Sequence, residues 1–268
     1  MSSPGARAPI VLTGATGGVG AALALRLAER GELLVLTARD ETRLAALADQ
    51  VRSRGGSAVV HPCDLRDQPA VEDLAARIPA ELGAPAAVLS LAGHSIRRPL
   101  ADTLGRPHDL VRLTGTNLLG PATLILGLLG PMISAGRGRI LAVTSATARI
   151  PAPGWAAYGA SKAGLDSWLR ALRPEAAAAG VGISILELPL VATSMAEPVY
   201  GTAPRGALRP EQAAERVLRC LDRGTDLASP AWARLGAVLA QAAPTLSARG
   251  VGLAGRFAER GLRRDGRR

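Results

Sequence analysis

Four residues stand out by type and spacing: Asn117, Ser145, Tyr158 and Lys162. Lys162 is the only lysine among 32 Lys and Arg residues, and Asn117 is the only asparagine. Lysine is ordinarily among the commonest residues. Arginine can supply solubility, so a solitary lysine points to a task that arginine cannot do. Arginine stays protonated and presents a planar fork, whereas lysine presents a compact ammonium. Tyr158-Gly159-Ala160-Ser161-Lys162 lies in a helical pattern, and a four-residue spacing puts the phenol and the ammonium on one helix face. Ser145 ends a strand-like run 13 residues before Tyr158, and Asn117 lies in the long helical stretch before that.

These types suit proton transfer at a carbonyl oxygen. A free phenol, with a pKa of about 10, is a poor acid near neutrality. A nearby ammonium stabilises the phenolate and lowers that pKa. Ser145 can hold the carbonyl oxygen by a hydrogen bond. Lys162 can also bond a nucleotide ribose, and Asn117 can hold a water that passes protons to Lys162. A Tyr–Lys pair at this spacing arises easily by chance. Its weight comes from Ser145 and from a glycine turn at a compatible place.

That turn is Thr13-Gly14-Ala15-Thr16-Gly17-Gly18-Val19-Gly20, which follows the first strand-like run and opens a helical one. In this context glycines let a backbone approach a pyrophosphate, and the helix start supplies free N–H groups. Gly14, Thr16, Gly18, Val19 and Gly20 are therefore candidate contacts to a dinucleotide. The second run, Leu33–Thr37, is followed by Ala38-Arg39-Asp40. An acidic residue at the strand end would bond a ribose 2′-hydroxyl; here Ala38 holds that place. Arg39 either clamps a 2′-phosphate, which favours NADP(H), or is a solvated residue ahead of a helix capped by Asp40. Asp64, after the third run, either bonds the adenine amino group or caps the next turn.

Positioning these groups requires an ordered framework. Strand-like runs near Pro9–Thr13, Leu33–Thr37, Ala58–His61, Ala86–Leu91, Arg139–Thr144 and Gly182–Leu188 alternate with helical patterns near Gly18–Arg30, Glu41–Arg54, Pro69–Leu82, Pro107–Ala135 and Trp155–Ala179. Alternation of this kind predicts an α/β protein with a Rossmann-like doubly wound parallel sheet and helices on both faces. One domain is expected. Residues 9–188 form its dinucleotide-binding core, 189–229 a substrate loop and helix, and 230–268 a helical extension ending in a solvated basic tail. The helix after the loop begins at Pro210 and runs to about Arg223, and Pro174 is expected to break the long helix after Lys162.

Composition narrows the class. Apolar residues make up 48% and aromatics 2%, so Leu, Val, Ala and Ile build the core. Cys63 and Cys220 lack metal-site spacing, which points to no metal and to a reducing, cytoplasmic setting. The N-terminus shows no signal-peptide pattern. Leu118–Ile133 is nearly all apolar but shorter than a bilayer span, so a buried helix is expected and no integral membrane segment. The net charge of +10 lacks the interleaved aromatics or motif of a nucleic-acid binder, and no nucleic-acid partner is expected.

The glycine turn, Asn117, Ser145 and Tyr158–Lys162, in this order, resemble the short-chain dehydrogenase/reductase family over roughly residues 9–195. The resemblance implies Tyr158 as acid/base, Lys162 as its activator, Ser145 as carbonyl stabiliser and Asn117 in the proton relay. It also implies cofactor contacts by Tyr158, Lys162, Ala92, Val191 and Thr193, and a homodimer or homotetramer. Ser90-Leu91-Ala92-Gly93 departs from the family's Asn-Asn-Ala-Gly, and Pro189-Leu190 from its Pro-Gly. Gly93–Arg98, Pro189–Met195 and Leu208–Ala214 are similar to the reductase domains of bacterial fatty acyl-CoA reductases. The implied substrate is a small-molecule carbonyl or alcohol of apolar character. A ketoreductase or alcohol dehydrogenase of secondary metabolism, or an idle NADP-binding scaffold subunit, are the alternatives. Leu235–Leu246 either covers a lipid-like substrate or packs on the domain or a neighbouring subunit.

Overall fold

A computed structural model describes residues 7–202, 205–247 and 249–251. The strands are β1 Ile10–Thr13, β2 Leu33–Thr37, β3 Ser57–Val60, β4 Ala87–Ser90, β5 Gly138–Ser145, β6 Val181–Leu188 and β7 Leu227–Ala228. They form one parallel sheet in the order β3-β2-β1-β4-β5-β6-β7. The first six match the apolar runs to within one residue at each end. The seventh has only two residues and carries no pattern of its own.

Both sheet faces are covered, which is why the strands read as continuous apolar runs. Ile10, Leu12, Leu34, Leu36 and Leu89 point to one face, where α1 (Gly18–Ala28), α2 (Glu41–Ser53) and α9 (Pro210–Arg223) pack. Val11, Val35, Val88 and Ile140 point to the other, against α3 (Gln68–Leu82), α6 (Gly120–Ser134) and α7 (Ala156–Ala178). The alternation within each run is the period-two geometry of a strand. Leu44, Leu47, Ala48 and Val51 form the buried face of α2, as their spacing predicts, and Asp40 caps that helix by accepting the Arg43 N–H at 3.0 Å.

Short helices α4 (Leu100–Thr103) and α8 (Glu197–Tyr200) interrupt the loops above the sheet. The long stretch expected over Pro107–Ala135 is not one uniform helix. It comprises α5 (Pro107–Thr114), a π-helical turn at Gly115–Leu119, and α6. The whole run of 28 residues is long and apolar enough to cross a bilayer, which corrects the length argument made from Leu118–Ile133 alone. Leu113, Leu124, Ile125, Leu128 and Met132 nevertheless lie in the core, packed towards α3 and α7. Pro174 does not break α7, which continues to Ala178. A proline so near the end of a helix removes a single backbone hydrogen bond from its last turns. α10 (Ala231–Ala242) follows β7, and a further helical turn begins at residue 244 after a bend at Ala243; the end of the basic tail, from residue 252, lies outside the described residues.

Candidate active site

β1 is flanked by β2 on one side and β4 on the other, so the chain reverses its direction across the sheet between β1 and β4. A crevice opens at the carboxyl ends of strands at such a switch point. Thr13, the last residue of β1, is fully buried, and its hydroxyl accepts the N–H groups of Leu91 (3.2 Å) and Ala92 (3.1 Å). That pair of bonds braces the exit of β4, where the sequence has Ser90-Leu91 in place of the family's asparagines. Gly14 then turns with φ +67°, and a Cβ there would lie 2.8 Å from the Ala92 backbone. Only glycine fits both the conformation and the approach. A Cβ on Gly18 would meet Thr193 at 3.0 Å, so Thr193 sits directly over the start of α1.

The crevice is a cavity of about 750 Å³, lined by Gly14, Thr16, Arg39, Asp64, Ala92 and neighbours. Arginines gather at its rim. Arg43 donates to the Thr16 carbonyl at 2.7 Å, and Arg39, Arg66 and Arg112 line the same space. Asp64 accepts both the Arg66 backbone N–H and its guanidinium, and the Arg66 bonds hold its carboxyl below the ordinary carboxylate range. Asp64 therefore caps its turn while facing the cavity. Sequence reasoning missed Thr13, Arg43, Arg66 and Arg112. In a chain this rich in arginine, nothing in the sequence distinguishes those three from solvated ones. A cradle that excludes side chains and a rim of guanidinium groups fit a dinucleotide carrying an extra phosphate.

Next to this space lies a second cavity of about 470 Å³. Ser145, Tyr158, Lys162, Gly18, Val19, Gly20, Val191 and Thr193 line it, and Gly14, Gly17, Leu91, Gly93 and Ser95 border both. Lys162 is 5% exposed and donates to the Val143 carbonyl at 3.0 Å. Burial lowers its pKa to about 8. Burial also pushes the Tyr158 phenol up, a hydrogen bond with Ser145 opposes that rise, and Tyr200 adds to it. In the protein alone, then, Ser145 is the group that acidifies Tyr158. Ser145 in turn accepts from the Thr147 hydroxyl at 3.0 Å and from the Thr147 N–H at 3.3 Å.

Asn117 sits in the π-helical turn and is fully buried. Turns of this kind recur at functional sites. Its Oδ1 accepts the His94 N–H at 2.8 Å, and its Nδ2 donates to the His94 carbonyl at 2.8 Å and to Ser161 Oγ at 2.9 Å. It thereby ties the exit of β4 to the turn of α7 that carries Lys162. Gly93 backs onto both residues, since a Cβ there would touch Asn117 Oδ1 and Lys162 Nζ at 3.4 Å.

The outer wall is aromatic. Trp155 meets Tyr158 edge-on at 5.6 Å and stacks on Tyr200 at 6.3 Å, and Trp232 of α10 lines the same cavity. Both tyrosines and two of the three tryptophans thus converge here. Rarity singled out Lys162 and Asn117, and it would have singled out these rings too. The loop over the cavity is fastened by Ala192 N–H to the Leu208 carbonyl and Leu208 N–H to the Leu190 carbonyl, both 2.9 Å.

Sheet order, switch-point crevice and the adjoining polar trio are those of a dinucleotide-dependent oxidoreductase. The sequence of residues 8–203 matches the family described as short chain dehydrogenase, and the chain belongs to it. It is 32% identical over 239 residues to a fatty acyl-CoA reductase of Acinetobacter baylyi, covering 88% of this chain and 80% of that one. It is 37% identical over 207 residues to a fatty acyl-CoA reductase of Mycobacterium tuberculosis, covering 77% and 70%. Its fold is similar to a short-chain dehydrogenase from Sphingobium yanoikuyae solved with NADPH, at a TM-score of 0.75, 25% identity and 96% coverage of both chains.

Proposed function

We propose that this protein is a cytoplasmic NADP(H)-dependent reductase of an apolar carbonyl substrate: a fatty aldehyde, a fatty acyl thioester or a ketone. The observation that carries the reading is the single cleft in which Ser145, Tyr158 and Lys162 meet an apolar, aromatic wall beside the glycine cradle. Relatives named fatty acyl-CoA reductase support the same substrate class. The arginine rim supports NADP(H) over NAD, with Arg39 and Arg43 as the groups that hold its 2′-phosphate. Two buried free cysteines are compatible with a reducing compartment.

When bound, the reduced nicotinamide supplies a hydride. The chain's own residues do the rest. Ser145 donates a hydrogen bond to the substrate oxygen and turns the carbonyl carbon towards the cradle. Tyr158 delivers its proton to that oxygen as negative charge builds there. Lys162, as ammonium, stabilises the phenolate left behind. Asn117 fixes the His94 backbone and α7 so that Lys162 stays in place. Val191 and Thr193 close over the nucleotide from the substrate loop. The stacked Trp155–Tyr200 pair also favours a flat ring system, which keeps a polyketide-type ketoreductase as the second reading.

Single-turnover oxidation of NADPH against long-chain acyl-CoA, fatty aldehydes and cyclic ketones decides among these. Turnover with the acyl or aldehyde set supports the proposal, and turnover with ketones alone favours the second reading. Tyr158→Phe is expected to lose turnover about a hundredfold or more with NADPH binding retained. No turnover with any carbonyl would make the chain a nucleotide-binding scaffold.

A further inference from the structure

Helix α10 has its amphipathic character reversed. It turns Ala233, Ala237 and Ala240 to the protein and its large apolar side chains outward. Trp232, Leu235, Val238 and Leu239 are each more than half exposed, and Leu246 is 69% exposed. Trp232, Leu235 and Leu239 fall on one stripe of α10, and Leu246 lies beyond the bend at Ala243 that ends the helix. A contiguous apolar surface of this kind is a contact site more often than a solvated one. The stripe begins at the substrate cleft, which Trp232 lines. Beyond the helix the sequence becomes strongly basic: residues 249–268 hold seven arginines against Glu259 and Asp265.

We propose that α10 docks on the surface of an anionic phospholipid bilayer. An apolar stripe headed by a tryptophan enters the boundary between headgroups and acyl chains, and the arginines that follow are drawn to the negative surface. The same charges disfavour a second copy of the chain as the occupant. Pairing α10 with α10 in parallel would bring two arginine runs together, and either pairing would leave both runs without a negative surface to meet. Docking also turns the cleft mouth towards the lipid, where an apolar substrate dissolves. That consequence rests on the function proposed above; the docking itself does not.

Flotation of the full-length protein with vesicles tests this without any activity assay. Binding is expected to phosphatidylcholine vesicles containing phosphatidylglycerol, to be much weaker to phosphatidylcholine alone, and to fall as salt is added. Leu235→Glu with Leu239→Glu should lower partitioning by about tenfold or more, because two side chains that enter the acyl boundary become charged. Both positions are exposed, and an unchanged circular dichroism melt certifies the fold. Quenching of tryptophan fluorescence by brominated lipid should disappear with Trp232→Phe. The proposal is overturned if anionic vesicles do not bind, or if the double glutamate variant binds undiminished. It is equally overturned if that variant instead lowers the mass in solution, which would make the stripe an interface between copies of the chain.

Discussion

Desolvation shifts the pKa values of Tyr158 and Lys162 in opposite directions, because the phenol is charged when it has lost its proton and the amine when it holds one, and their chemistry inherits a pH window from that. Burial holds Tyr158 protonated through neutrality, as a proton donor must be. It brings Lys162 down to about 8, so the ammonium that supports the phenolate persists only below that pH. Carbonyl reduction is therefore expected to be level below about pH 8 and to fall above it, in a profile of kcat against pH. A rate still rising at pH 9 would remove Lys162 from the proton chemistry. The same shift has a stability consequence. The folded pKa, about 8, lies below the ordinary value of 10.5, so between the two the folded protein releases this proton before the unfolded chain does. The unfolded state then binds more protons, and stability rises with pH across that window. The gain is about 3 kcal/mol at most, at 1.36 kcal/mol per pKa unit. Below pH 8 the buried charge weighs on the fold in full. Lys162→Met should therefore melt higher than the parent at pH 7, with the gap closing by about pH 10. A gap independent of pH would mean that Lys162 titrates normally.

At the scale of elements, the sequence displayed what burial and glycine geometry impose and concealed what the ends of side chains do. Six strands were legible because a strand covered on both faces must be apolar throughout, and α2 because its buried face repeats at helical spacing. The Gly14 turn was legible for a reason that can be tested. Gly14→Ala places a Cβ 2.8 Å from the Ala92 backbone and forces a left-handed φ. It should cost roughly 2 kcal/mol or more of stability and weaken NADPH binding by more than tenfold. Gly136→Ala, where φ is also left-handed at +63° but nothing lies within 4 Å of an added Cβ, should cost only about 1 kcal/mol and leave NADPH binding unchanged. Equal effects in calorimetry would deny the cradle its tight fit. The π-helical turn around Asn117 and the two-residue β7 left no periodic signal. Nor did the buried carboxylate of Glu187, at the end of β6. It accepts Arg149 Nε at 2.7 Å and Ser229 Oγ at 2.5 Å, clamping the segment between Ser145 and Tyr158 to the sheet. Glu187→Leu strands the Arg149 charge and should cost about 3–5 kcal/mol in denaturant unfolding. Adding Arg149→Met should recover much of that loss, because an apolar pair replaces an ionic one. No recovery would show that Arg149 is well solvated without its partner.

The whole molecule carries a second exposed apolar stripe besides the one on α10. On α6 it runs through Leu126 and Ile133, with Leu119 ahead of them, and it continues on α5 through Leu110 and Val111. The seven-residue step from 126 to 133 keeps these two side chains on one face of α6, with Leu119 at the end of the π-helical turn just ahead, which is the pattern of a helix–helix seam. The arginines near this stripe in the sequence, Arg106, Arg112 and Arg137, are scattered rather than gathered in a run, and the inner face of the same helix already belongs to the core. A copy of the same surface, related by a two-fold axis, would bury it on both chains at once. The expected solution state is therefore a dimer, or a tetramer built from dimers, held through α5 and α6. Leu126→Asp with Ile133→Asp should halve the mass seen by light scattering, because a charge at the centre of such a seam is left unpaired. The melting temperature of the parent should rise with protein concentration, and that of the variant should not. If the variant keeps the parent's mass, the α5–α6 face is not the interface. The subunits would then meet elsewhere, and the 28-residue helical run would have to find another occupant for its outer side.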